Sequence, residues 1–397
     1  MKAIRFHAKH DIRIEDVDPP GALADDDVLV RSTYCGICGT DLHEFTEGPI
    51  WTSASPNSFS GAALPQILGH EFAGRVEAVG RGVTTLRVGD RVSIQPQVGP
   101  KDGYFGSRNL HFLSGRGATI GLSWPWGGMG EFAVVKDYTA IKLPDDVTDQ
   151  QGALIEPAAV AVHAVDRSGL QPGGSILVTG AGPIGALTVL AARAAGAGRI
   201  LVSEPNANRR RRIEQLGVGA IVIDPTTESL EDRVRQETTE GIGVDAAVEC
   251  AGNARALEAC IDAVRAQGVV VVVGLMQGKV GVSPFQLILK DLTIQGSLCY
   301  PLTIWPRIID MVRSGLFPIE AMIDDEIEME DVIEKGFKPL LDPQGAMMKI
   351  LIRVHGGSPT GRSSRVQVSQ DSGVETGQDA ILAEISAAPS SSLQHRS

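Results

Sequence analysis

The sequence predicts a two-domain α/β fold: a β-rich first half and, from about Glu156, a doubly wound parallel sheet with helices on both faces. Three observations carry this expectation. The first half is crowded with short segments that alternate apolar and polar residues between Gly, Pro and Asp turns. After Glu156, β-branched runs alternate with helical stretches, which is the pattern of a parallel sheet. The first of those runs, Ser175–Thr179, leads directly into Gly180, Gly182 and Gly185, spaced G-x-G-x-x-G.

Taken in order, the segments 2–6, 28–34, 72–79 and 91–94 read as strands, with Gly89-Asp90 as the turn before the last of them. They predict a compact, mostly antiparallel, barrel-like domain. Glu156-Pro157 opens an apolar-periodic run to Val165 and reads as a helix start, since proline in a first turn loses no hydrogen bond. Strands are then expected at Ser175–Thr179, Arg199–Ser203, 220–223, Val244–Glu249, 269–273 and 292–296, and a helix at 184–195. The stretch 302–352 is mixed and is expected to return to the first domain, ending in a strand over 348–354. The expected division is therefore 1–155 with 297–354, then 156–296. The remainder, 355–397, is rich in Ser, Gly, Gln and Ala and is expected to be disordered.

The length of 397 residues suits about two or three domains. Lys and Arg number 36 against 48 acidic residues, a formal net charge of −12, which argues against nucleic-acid or anionic-membrane partners. No apolar run approaches the roughly 18 residues of a membrane span, and residues 1–10 lack a signal-peptide core. Five scattered cysteines, at 35, 38, 250, 260 and 299, form no disulfide framework, and a reducing cytoplasm is expected.

The glycine-rich turn reads as a dinucleotide site. Gly180 makes the tight turn, Gly182 lets backbone reach a pyrophosphate, and Gly185 lets helix and strand pack closely, with Pro183 and Ile184 between them. Glu204, at the end of the next strand, stands near the ~20-residue offset of an acid that binds the adenosine ribose. Taken alone it could equally be a solvated strand end.

A second constellation lies upstream, in Y-C-G-I-C-G-T-D-L-H at 34–43 and L-G-H-E-F-A-G at 68–74. Alone, Cys35 and Cys38 could be half of a zinc knuckle or a redox pair, and Cys35 also reads as a buried strand residue. His70-Glu71 alone is a polar loop pair. Together, Cys38, His70 and Glu71 offer thiolate, imidazole and carboxylate, the donor set of a catalytic zinc with an open position.

These motifs, the glycine-rich turn and V-E-C-A-G together resemble the zinc-containing medium-chain alcohol dehydrogenases over roughly residues 1–354. The insert H-E-F-T-E-G-P-I, the segment G-L-S-W-P-W-G-G-M-G-E-F and Glu156-Pro157 resemble the 2,3-butanediol and sorbitol-type polyol dehydrogenase branch. The resemblance implies a GroES-like β-rich catalytic domain plus a Rossmann domain. It implies zinc ligation by Cys38, His70 and Glu71, with Glu156 reaching the ion directly or through water. It further implies that Thr40 bonds the reacting hydroxyl and that His43 passes its proton outward. Coenzyme contacts fall at Gly180, Gly182, Pro183, Ile184, Gly185, Glu204, Arg209, Val273, Gly274 and Leu275. NAD is expected over NADP because Glu204 repels a 2′-phosphate; against this stands the basic run 209–212, three of whose members are expected to face solvent. The family's structural zinc needs four cysteines, but those positions fall at Pro100, Gly103, Gly106 and Ser114, so one zinc per subunit is expected, the lobe being packed through Tyr104, Phe105 and Phe112. Trp124 and Trp126 could wall the pocket or simply pack. The expected substrate is a small vicinal diol or its hydroxyketone, 2,3-butanediol and acetoin leading. Sorbitol or xylitol comes second, an L-threonine dehydrogenase-like activity third, and a zinc-free reductase or a non-catalytic NAD-binding protein stands outside that class. A homodimer or homotetramer is expected.

Overall fold

The computed structural model describes residues 1–354 apart from Gln277 and Ala346. The predicted tail, 355–397, lies outside the described residues.

The first half builds a sheet in the order Ala140–Lys142, Arg91–Ile94, Glu71–Val79, Asp27–Gly36, Lys349–Arg353 and Ile323–Glu328, with Phe132–Lys136 also paired to Asp27–Gly36. All of these pairings are antiparallel except the last, between Lys349–Arg353 and Ile323–Glu328. A three-stranded sheet, Asp11–Asp16, Lys2–Ala8 and Gln66–Ile67, lies beside it. Alternation explains the packing: along Asp27–Gly36, Val28, Val30 and Cys35 are buried in a core shared with Phe72, Ile94 and Ile352. Cys35 is thus a strand residue in that core.

The second unit is a six-stranded parallel sheet in the order Ile221–Ile223, Arg199–Ser203, Ser175–Thr179, Val244–Glu249, Val264–Val272 and Thr293–Gly296. Its middle strands are near-continuous Val, Ile, Leu and Ala because both faces are covered. The helices Asp149–Ser168 and Pro183–Ala194 cover one face, and Ala254–Ala263 covers the other. The fifth strand begins earlier than predicted, at Val264.

The helix expected to start at Glu156-Pro157 starts at Asp149, and Pro157 lies inside it. Thr148 is the N-cap: its hydroxyl accepts from the Gln151 N–H and the Gln151 side chain accepts from the Thr148 N–H. Pro157 removes one backbone bond, but thirteen of the twenty helical residues are buried, and their packing outweighs the loss. A Cβ on Gly152 would stand 2.5 Å from Leu143 and 3.0 Å from Ala73 of the first sheet, so glycine lets this helix seat against the first unit as well as the second. Among the described residues no helix is long and apolar enough to cross a membrane.

Replacing Thr148 by Ala removes the cap and should lower stability by about 1 kcal/mol. Denaturant melts check this, and zinc content should not change, since the lost bonds lie two turns from Glu156.

Candidate metal and cofactor site

Cys38 ends the loop after Asp27–Gly36 and caps the helix Gly39–Glu47. Its N–H donates to Asp41 Oδ2 at 2.9 Å, which fixes the first turn. His70 and Glu71 arrive from the neighbouring strand, where Glu71 stands opposite Gly36. One donor atom each from Cys38, His70 and Glu71 lies within 4.8 Å of the others. Sulfur, imidazole nitrogen and carboxylate oxygen at that spacing suit zinc, and no other such trio occurs among the described residues. Gly36 makes room: a Cβ there would stand 2.3 Å from Glu71 Oε2.

Three partners were not assigned a role from sequence. Asp41, fully buried, points Oδ1 at His70 Nδ1 across 3.7 Å, and neither atom has a hydrogen-bond partner. A carboxylate behind a metal-ligating imidazole orients the ring and raises its basicity. Lys349, 1 % exposed, donates to Glu71 Oε2 at 2.5 Å and to the Ile37 carbonyl at 3.1 Å. The Tyr300 hydroxyl donates to Glu156 Oε1. Asp41 lay inside a recognised motif. Lys349 is one cation in an apolar strand, and Tyr300 one of four tyrosines, so neither carried a usable signal.

The electrostatics are those of a cation site. Burial alone would depress His70, but the Cys38 and Asp41 charges outweigh it and hold its pKa well above the ordinary value. Burial likewise opposes the Lys349 charge, and the Glu71 and Cys38 charges overcome it. Desolvation, with the Glu71 charge adding to it, pushes Glu156 up to about 7. Glu156 stands beside the trio rather than in it, one oxygen engaged by Tyr300.

Thr40 Oγ1 lies 3.8 Å from Cys38 Sγ, and His43, one turn on, is exposed. The insert that follows is organised by Glu44, buried, which accepts from the N–H groups of Ile50, Trp51 and Thr52 and from the Thr52 hydroxyl.

In the parallel unit, Gly180 has φ +85° and rests against Ala251, while a Cβ on Gly185 would stand 1.9 Å from the Gly180 carbonyl oxygen. Both positions require glycine. Around Gly182 the space is open, and Pro183 and Ile184 begin the helix Pro183–Ala194. Glu204 is not a solvated strand end. It is buried, Oε2 accepting from the Ala181 N–H at 2.6 Å and Oε1 from the Asn206 N–H at 2.8 Å. Arg209 is half-buried in the first turn of Ala207–Gln215. The expectation that three of Arg209–Arg212 face solvent fails. Arg210 pairs with Asp224 and Arg212 with Asp324, both at 2.7 Å, leaving only Arg211 exposed. Val273, Gly274 and Leu275 line a cavity of about 530 Å³ with Phe112, His163 and Leu298. Two residues beyond Leu298 is Tyr300, so one short segment runs from this cavity to Glu156.

The lobe near 95–114 is held differently from expectation. Tyr104 is 68 % exposed, edge-on to Phe105 and under the Arg108 guanidinium. His111 stacks on Tyr138, whose hydroxyl binds the Gly99 backbone, and Phe112 meets His163. Trp124 and Trp126 pack against the first core, the Trp124 N–H donating to the Val134 carbonyl.

Two family models match: an alcohol dehydrogenase GroES-like domain over residues 24–145 and a zinc-binding dehydrogenase over 183–314. The (R,R)-butanediol dehydrogenase of Bacillus subtilis (strain 168) is 36% identical over 355 residues, covering 89% of this chain and 99% of that protein. A crystal structure of the 2R,3R-butanediol dehydrogenase from Bacillus subtilis superposes with TM-score 0.82 at 34% identity, covering 89% and 99% of the two chains. Sorbitol dehydrogenase of Homo sapiens is 32% identical, with 87% and 94% covered. A zinc-binding dehydrogenase from Sinorhizobium meliloti 1021, solved with NADP bound, superposes with TM-score 0.79 at 30% identity, with 89% and 98% covered.

Replacing Lys349 by Met strands the Glu71 carboxylate in a buried position. In chelator-treated protein this should cost about 3–5 kcal/mol, and the double change with Glu71→Gln should recover much of it. Denaturant melts of the three variants check the pairing.

Proposed function

We propose that this chain, which belongs to the zinc-binding dehydrogenases with a GroES-like domain, interconverts a small vicinal diol and its hydroxyketone with NAD. The observation that carries this reading is the pair of buried carboxylates, Glu71 and Glu156, beside Cys38 and His70, with the Tyr300 hydroxyl on Glu156. Two carboxylates and a phenol make a polar wall, which suits a substrate with a second oxygen better than a plain alcohol. The similarity to butanediol dehydrogenases supports the diol; the similarity to sorbitol dehydrogenases makes a longer polyol the second reading.

Cys38, His70 and Glu71 would hold the zinc, and Glu156 would reach it directly or through water. The ion, when bound, supplies Lewis acidity that lowers the pKa of a hydroxyl brought to it. Thr40 accepts the hydroxyl proton. His43, three residues on along the same helix face, carries it to solvent, which its exposure allows. Gly182 would hold the coenzyme's pyrophosphate and Val273, Gly274 and Leu275 its nicotinamide, at the carboxyl ends of the parallel strands. Glu204 takes the adenosine ribose, and its charge disfavours the 2′-phosphate of NADP. Arg210 and Arg212 are already paired with acids, which weakens the case for that phosphate even though the Sinorhizobium neighbour holds NADP.

Turnover of butanediol isomers, sorbitol, threonine and ethanol on one preparation, with NAD and with NADP, tests this. A butanediol isomer with NAD should have the highest kcat/KM. Sorbitol leading would move the chain to the polyol branch, and ethanol or threonine leading would overturn the diol reading. No turnover, with chelator making no difference, would leave a non-catalytic binder.

One zinc per subunit is the reading that Pro100, Gly103, Gly106 and Ser114 in the lobe support, since none of them ligates zinc as a thiolate does. A homodimer or homotetramer is favoured by the edge strand Thr293–Gly296 and by Phe285, Ile288 and Leu289, all exposed on the neighbouring helix. Native mass spectrometry reads both at once: an even multiple of the chain carrying one zinc each is expected, and two zinc ions per chain or a monomer would refute the corresponding point.

A further inference from the structure

The motif V-E-C-A-G at 248–252 takes no part in the chemistry derived above, yet its Glu249 is 0 % exposed. Glu249 ends the strand Val244–Glu249, paired in register with Thr179 at the end of Ser175–Thr179. From Ser175–Thr179 the sheet grows to one side through Arg199–Ser203 and Ile221–Ile223, then resumes on the other side with Val244–Glu249. Glu249 therefore sits at the point where strand order reverses, the place where open α/β sheets bind ligands.

Three turns converge on this residue. Its Oε1 accepts from the N–H groups of Ala251 at 2.8 Å and Gly252 at 2.7 Å. Its backbone carbonyl accepts from Val273 at 2.9 Å and Gly274 at 3.0 Å. The glycine-rich turn rests on the first of these segments, since a Cβ on Gly180 would stand 2.9 Å from Ala251. The segments are also locked to each other: a Cβ on Gly274 would stand 2.3 Å from the Gly252 nitrogen and 2.7 Å from Glu249 Oε2. An anionic acceptor holds two amides more firmly than a neutral one. Burial pushes the Glu249 carboxyl above its ordinary value, and the neighbouring backbone N–H groups offset only part of that.

We propose that Glu249 is a positioning residue for the coenzyme. Its carboxylate holds the 250–252 turn, against which both the glycine-rich turn and the 273–275 strand end pack, and so sets dinucleotide affinity without touching the zinc site. The proposal rests on the coenzyme reading above and not on the choice of substrate.

The test uses the full-length, zinc-loaded protein and NADH alone, followed by fluorescence titration with no alcohol present. Glu249→Ala leaves the Ala251 and Gly252 amides without their acceptor and should weaken NADH binding by about tenfold or more. Glu249→Asp, a methylene shorter, should weaken it similarly, and Glu249→Gln, which keeps an oxygen in place, should restore most of it. Zinc content and kcat at saturating NAD should stay near native, the loss appearing in the KM for NAD. If Glu249→Ala does not fold, the Asp and Gln pair decides. Folded Ala or Asp variants with unchanged NADH affinity, or an affinity loss that tracks zinc loss, would overturn the proposal. Unsubstituted protein that binds no NADH would remove the coenzyme reading itself, and this proposal with it.

Discussion

The organising constraint is a crowd of acidic groups in a space water hardly reaches. Asp41, Glu71 and Glu156 are buried around the half-buried Cys38, and such a set persists only if cations are brought to it. The chain supplies Lys349, bonded to Glu71 across 278 residues of sequence, whereas His70 is neutral when it ligates a metal. That lysine explains why the chain returns to the first sheet. Lys349–Arg353 must lie against Asp27–Gly36 for its lysine to reach Glu71, and Gly36 must lack a side chain for the carboxylate to fit. The remaining positive charge is what a divalent metal provides.

The helix Asp149–Ser168 transmits this arrangement to the parallel sheet. It carries Glu156 to the acidic cluster while its flanking residues pack the sheet helix Pro183–Ala194. A chain of polar contacts braces it: Ser93 Oγ donates to the Gly152 carbonyl, the Trp305 N–H donates to Ser93 Oγ, and Trp305 meets Tyr300, which holds Glu156. The residues that would hold the metal and those that would hold the coenzyme are thus linked through this helix, which packs against both units.

Much of this was legible locally. The strand and helix alternation after Glu156 matches the observed sheet nearly residue for residue at Ser175–Thr179, Arg199–Ser203 and Val244–Glu249, because a strand buried on both faces has no freedom to be polar. The trio Cys38, His70 and Glu71 was readable because ligand chemistry allows few residue types. The helix start was misread because a proline signal at Glu156-Pro157 competed with the Thr148–Gln151 capping box upstream, and tertiary packing tolerated the proline. Tyr104 was misread because its aromatic character says nothing of which way the lobe turns it.

The sequence by itself determined what is set by nearest neighbours and by residue chemistry: the parallel strands, the glycine turn and which side chains can ligate metal. Only the tertiary structure decided which distant groups compensate buried charge. Lys349 on Glu71 and Tyr300 on Glu156 are pairings across long stretches of chain, while Arg210 on Asp224 and Glu249 on its own turn are closer in sequence but equally set by burial. Their physical reason is desolvation, which acts on a group only after the fold has taken its water away.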